Sequence, residues 1–127
     1  MNYFIKPLIT TALLSACALV NADVMQVFNC KMKEGKAATE LQAVSSAWLA
    51  AAKKLPGNEK LELWLRFPVA ANVGDGEFSF VTRTPDFKDW GAATEAYSSS
   101  GMEETDQALD EVAYCSGSSL WLSEEVK

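Results

Sequence analysis

Residues 60–97, KLELWLRFPVAANVGDGEFSFVTRTPDFKDWGAATEAY, decide the reading of the fold. In Leu61, Leu63, Leu65 and Phe67 apolar side chains recur at every second position, with Glu62, Trp64 and Arg66 between them. That period of two is a half-buried strand. Pro68 ends regular pairing because it has no N–H to give, and 70–76, AANVGDG, reads as a loop whose two glycines are free to take positive φ. A second strand follows, with Phe78, Phe80 and Thr82 on one face and Glu77, Ser79, Val81 and Arg83 on the other. Thr84-Pro85-Asp86 then predicts a helix start, with Thr84 as N-cap, Pro85 in the first turn and Asp86 favourable to the helix dipole. Phe87, Trp90, Thr94 and Tyr97 line one face of that helix.

Working outward, Val24–Cys30 (VMQVFNC) is β-branched and aromatic without Gly or Pro, and reads as a strand. After a polar loop, 31–36, Thr39 and Gln42 match a capping box. Leu41, Val44, Trp48, Ala51 and Leu55 then fall at helical spacing, and Lys53-Lys54 followed by Leu55-Pro56-Gly57 close the helix. Ser98–Gly101 breaks the second helix in two. Ser100 with Glu103 offers a capping box for its second half, whose apolar positions are Met102, Leu109, Val112 and Ala113. Cys115-Ser116-Gly117 reads as the end of that half, and Ser118–Ser123 as a last strand.

The order is therefore βαββαβ, an α+β ferredoxin-like pattern with a four-stranded antiparallel sheet and a second helix broken in two. Right-handed crossovers set the last strand beside the first and the third strand on its other side. Cys30 and Cys115 then come to the same edge of the sheet, which agrees with reading them as a disulfide. One sheet face is covered by helices. The other is left open and carries Trp64, Arg66, Val81, Arg83 and Trp121, interleaved with Glu62, Glu77 and Ser79.

The chain has 127 residues, enough for one small domain. Pro7–Val20 is an uncharged, largely apolar run, and Val20-Asn21-Ala22 suits a signal peptidase before Asp23. Residues 1–22 read as a signal peptide and 23–127 as a single domain, periplasmic or secreted; the apolar run is too short for a comfortable transmembrane segment. A second processing option is the lipobox-like Leu14-Ser15-Ala16-Cys17, which would leave a lipoprotein anchored at Cys17. Removing residues 1–22 takes away one basic residue, Lys6, so the net charge of −6 becomes −7. That acidity argues against nucleic acid as a partner, because phosphate binding needs basic patches.

The stretch FSFVTRTPDFKDW, a strand running into a Pro-started helix with an aromatic face, resembles the dimeric α+β barrel superfamily. This is the group of antibiotic-biosynthesis-monooxygenase-like and related small proteins. The resemblance implies a homodimer whose two sheets pack open face to open face, and a pocket between the helices and sheet of each subunit. It assigns no catalytic residue. The heme-handling members use a His ligand, and this chain has no His.

The missing His also removes Ser-His and Cys-His nucleophile systems and most zinc sites. There is no phosphate loop and no C-x-x-C pair. Glu103, Glu104, Asp106, Asp110 and Glu111 lack the alternation of a calcium loop and read as a solvated face, so no metal and no cofactor are expected. What remains is a candidate ligand-binding set of Asn29, Trp64, Arg66, Arg83, Trp90 and Tyr97, and a candidate dimer face of Trp64, Val81 and Trp121. For each the plainer role is structural: Trp90 and Tyr97 as helix core, the two Arg as rim charges pairing with Glu62 or Glu77, Asn29 as a strand-end polar group. Two functions follow. One is a noncatalytic binding or assembly module, homodimeric through the open face. The other is a cofactor-independent monooxygenase or isomerase acting on a small apolar or aromatic molecule, which would need a closed pocket of roughly 300 Å³ or more.

Overall fold

A computed structural model describes residues 22–70, 74–99 and 101–126. The expected signal peptide, residues 1–22, and the lipobox-like Leu14–Cys17 lie, apart from Ala22, outside the described residues. The elements are β1 (Asp23–Met32), α1 (Ala38–Ala52), β2 (Glu62–Arg66), β3 (Glu77–Thr84), α2 (Phe87–Ser98), α3 (Glu103–Val112) and β4 (Ala113–Ser123). The sheet order is β2-β3-β1-β4, all neighbours antiparallel, which is the ferredoxin-like topology with the second helix divided into α2 and α3.

Register separates the faces as alternation predicts. Leu63 stands opposite Thr82 and Leu65 opposite Phe80, while Phe78 and Phe80 stand opposite Cys30 and Phe28. These side chains meet the helices. Cys30, Leu41, Phe78, Phe80, Val112 and Ala113 form one buried cluster, joined by Val44, Trp48, Leu63, Leu65 and Leu109. Ala52, Leu61 and Met102 form a second, with Ala51 and Leu55 against it. Trp48 belongs to both and sets its ring edge-on to Phe80, centroids 5.3 Å apart. Phe67 lies one residue past β2, yet its ring still packs on Phe78 at 5.8 Å, on the expected side.

The helix starts differ from the sequence expectation. α1 begins at Ala38 behind the extended Ala37, and Thr39 lies inside the helix. The closing group is Glu40, whose carboxylate accepts the Ala37 N–H at 2.8 Å. That bond is the main reason the Glu40 carboxyl is held below the ordinary range. Thr84 is the last residue of β3, buried and opposite Val24, so it cannot cap α2. Asp86 caps instead, its Oδ1 accepting the Asp89 N–H at 2.8 Å, with Pro85 just outside the helix. α3 follows Met102 as its N-cap; Ser100 lies outside the described residues.

The last strand is also longer than expected. β4 starts at Ala113 directly after α3 and includes Cys115. Cys30 and Cys115 are direct cross-strand partners joined by a disulfide. The register shifts between Asn29 and Cys30: Asn29 faces Gly117 and Cys30 faces Cys115, so Ser116 is the extra residue of a bulge. The bulge carries the strand past the residues that read as a turn.

Candidate functional site

The face of the sheet away from the helices is built in cross-strand rows. Trp64 of β2, Val81 of β3, Val27 of β1 and Ser119 of β4 form one row. Glu62, Arg83, Met25 and Trp121 form the next, and Arg66, Ser79, Asn29 and Gly117 a third. The middle is already closed: Val81 is 0% exposed, and Val27 and Met25 are half-buried. The apolar surface left to solvent lies on the two outer strands, where Trp64 is 39% and Trp121 59% exposed.

Charges border this surface in fixed geometry. Arg83 donates to Asp23 at 2.7 Å and to Glu62 at 2.9 Å. Those two bonds, Asp23 first, raise its pKa and keep the guanidinium charged. Among the described residues no carboxylate pairs with Arg66, which stands over the Trp64 ring, 5.7 Å from the centroid, a cation–π contact. At the outer end, the Trp121 indole N–H donates to the Ser119 hydroxyl at 2.7 Å.

Trp90 and Tyr97 are not part of this face. Both lie on α2, on the other side of the sheet. The Trp90 indole N–H reaches Gln26 Oε1 at 3.3 Å, and Phe87 packs edge-on against its ring. The Tyr97 hydroxyl donates to Asp106 Oδ2 at 2.6 Å, while the Trp48 indole N–H donates to Asp106 Oδ1 at 2.9 Å. One carboxylate thus ties α1, α2 and α3 together. Burial, reinforced by the Asp106 hydrogen bond, pushes the Tyr97 phenol above its usual range. The sequence groups Asp106 with the solvated carboxylates; the structure instead gives it two hydrogen bonds from other helices. The six candidate ligand residues therefore split: Asn29, Trp64, Arg66 and Arg83 share the open face, and Trp90 and Tyr97 do not join them.

Two clefts border these elements, and both open to solvent. The first, about 480 Å³, lies at the disulfide end of the open face between Asn29, Lys31, Arg66, Glu77 and Tyr114. The second, about 430 Å³, lies between α1 and β2, lined by Gln42, Ser45, Leu49, Leu63 and Phe67. Ser45 is buried there, and its hydroxyl has no hydrogen-bond partner among the described residues. Among the described residues, no cluster of carboxylate and cysteine ligands could hold a metal, and no helix is long and apolar enough to cross a membrane.

No family model matches the chain, and no curated protein matches its sequence. Solved structures do match in shape. SnoaB, a cofactor-independent oxygenase from Streptomyces nogalater, superposes with a TM-score of 0.55 at 15% identity, over 83% of this chain and 96% of that one. A protein from Caulobacter crescentus, provisionally assigned as an antibiotic biosynthesis monooxygenase, gives 0.51 at 13% identity, over 85% of this chain and 93% of the other. At such identities the likeness is one of architecture: this chain has the ferredoxin-like α+β fold found among antibiotic-biosynthesis-monooxygenase-like proteins.

Proposed function

We propose that this chain is an exported, noncatalytic binding or assembly module that forms a homodimer by packing its open sheet face on that of a second copy. The observation that carries the reading is the pair of exposed tryptophans, Trp64 and Trp121, flanking the buried Val81 and half-buried Val27 on the helix-free face. Indole rings left in water on the face that no helix covers are surface that association would remove. Charges border that surface, and Arg83 is already satisfied by Asp23 and Glu62, so face-to-face packing would not leave that guanidinium unpaired. Sedimentation velocity at about tens of micromolar should give a dimer, and Trp64→Ala should weaken it by roughly 1–2 kcal/mol or more. A clean monomer at that concentration would sink the idea. Export predicts a processed chain starting at Asp23, read directly by intact mass.

A second reading is favoured by one specific observation, the orphan Ser45 hydroxyl in the α1–β2 cleft. Leucines, Phe67 and one unsatisfied hydroxyl suit a small apolar molecule with a single hydrogen-bonding group. SnoaB is described as a cofactor-independent oxygenase; the cleft here opens to solvent and is not the closed pocket such chemistry needs, so this reading is one of binding. Ser45→Ala would then lower ligand affinity without changing the oligomeric state. If no small aromatic or apolar compound shifts the melting temperature, this reading fails.

A further inference from the structure

β4 is an edge strand, and its sequence, AYCSGSSLWLS, holds no charged residue and no Pro in a chain of net charge −6. Every residue from Tyr114 onward is exposed. Its inner side pairs with β1 along its whole length, so its outer side offers a row of backbone N–H and C=O groups. Edge strands in soluble proteins usually blunt that row with charges, Pro, bulges or a cover. The opposite edge does so: in β2, Glu62 and Arg66 bracket Leu63-Trp64-Leu65. β4 has one bulge, at Ser116, and from Gly117 to Ser123 the pairing with β1 is regular. Apolar groups project from both of its faces. Trp121 lies on the open side, while Leu120 and Leu122, opposite Gln26 and Val24, lie on the helix side and are still 42% and 54% exposed.

The sequence of this edge also suits one occupant. Two identical strands meeting antiparallel about a two-fold axis set each residue opposite the one equally far beyond the axis. Ser119-Leu120-Trp121-Leu122-Ser123 reads the same in both directions. An axis through Trp121 therefore sets Trp121 against Trp121, Leu120 against Leu122 and Ser119 against Ser123 of the second copy. Glu124 and Glu125 fall opposite Ser118 and Gly117, so no carboxylates oppose each other, and matched apolar pairs are the stabilising unit of a sheet. We propose that β4 joins β4 of a second copy edge to edge, antiparallel and centred on Trp121, to make one continuous sheet twice as wide. This contact is separate from open-face packing and does not rest on it.

The test uses the purified chain as its host processes it. In Trp121→Cys the two introduced thiols face each other, on Cα atoms roughly 4.5–5.5 Å apart, within the span of a disulfide. In Leu122→Cys each thiol meets its own counterpart only on the diagonal. Mild oxidation, non-reducing electrophoresis and peptide mapping should therefore show a crosslinked dimer for Trp121→Cys and at least about tenfold less for Leu122→Cys. Leu122→Lys, a change at an exposed position, should raise the concentration needed for association at least about tenfold, near 1.4 kcal/mol, with an unchanged melting temperature for the monomer. Trp64→Ala should leave the Trp121→Cys crosslink intact. Equal crosslinking at the two positions, or none at Trp121→Cys, overturns the proposal. So does association lost in Trp64→Ala but untouched by Leu122→Lys, a result that favours the open face alone.

Discussion

Removing the Cys30–Cys115 bridge should destabilise the fold by about 4–5 kcal/mol. The two cysteines are 85 residues apart in sequence, and in the chain-entropy treatment closing a loop of that length removes about 15 cal/mol/K from the unfolded chain, or about 4.6 kcal/mol at room temperature. The perturbation must avoid adding a second cost. Cys30 is 5% exposed, within the apolar cluster of Leu41, Phe78 and Phe80, so Cys30→Ser would also strand a hydroxyl there, at about 1–3 kcal/mol. The double variant Cys30→Ala/Cys115→Ala isolates the bridge better, because Ala113 and Val112 remain to close the core. Urea unfolding of the oxidised protein, the reduced protein and the double variant should give two low midpoints and one high. In melting temperature the gap should be roughly 15–20 °C, at about 4 °C per kcal/mol for a domain of this size. Against a total stability of about 5–15 kcal/mol, a loss of that size leaves the reduced chain marginal. If reduction leaves the melting temperature unchanged, the bridge does not constrain the unfolded chain as reasoned.

Two further perturbations probe how the helices are held. α1 ends at Ala52 with Lys53 as its C-cap; Gly57, in the turns that follow, has φ +86°, and a Cβ there would stand 3.1 Å from the Ala92 Cβ on α2. Gly57→Ala should therefore cost about 1–2 kcal/mol for the left-handed backbone alone, read as a lower urea midpoint with an unchanged slope. Tyr97, whose phenol pKa is raised by burial and by Asp106, should resist ionisation in an absorbance titration. A raised folded pKa means the stability it contributes is fully present below the unfolded tyrosine value of about 10 and is lost as pH rises above it. Asp106→Asn should bring the Tyr97 titration back down and flatten that alkaline loss. A titration identical to wild type would refute the clasp.

Much of the fold was legible because alternation and register agree. Leu61, Leu63 and Leu65 share one face in sequence and reach the helices in space, and Trp64, Val81 and Trp121 fall together on the other. Element boundaries were less legible, since neighbouring residues offered equivalent chemistry. Thr84 and Asp86 can both cap a helix; pairing of Thr84 with Val24 holds the first in the sheet and leaves the second. Thr39-x-x-Gln42 matches a capping box as well as Glu40 does, and only the backbone path before Ala38 selects Glu40. Cys115-Ser116-Gly117 carries turn residues, but a bulge absorbs Ser116 and the strand runs on. Asp106 was hidden for another reason. Its partners, Trp48 and Tyr97, come from two other helices, one of them 58 residues away, and no local spacing records such a contact.

The same triplet, Leu-Trp-Leu, stands in both edge strands and meets different fates. In β2, Leu63 and Leu65 pack into the main cluster on the helix side, and Trp64 alone faces solvent, with Arg66 over its ring. In β4, both leucines remain exposed beside Trp121. Composition cannot separate the two cases; the connection can. α3 passes into β4 without a loop, so Val112 and Ala113 are buried at the strand's first residue while exposure begins at the next. The ladder with β1 keeps the rest of β4 straight and ordered without giving its side chains a core. An ordered strand with uncovered apolar side chains is held in a state that another strand can extend at little further entropic cost. Besides Trp64 within residues 60–97, the surface we propose for association is therefore the far end of β4, where the strand outruns the buried core.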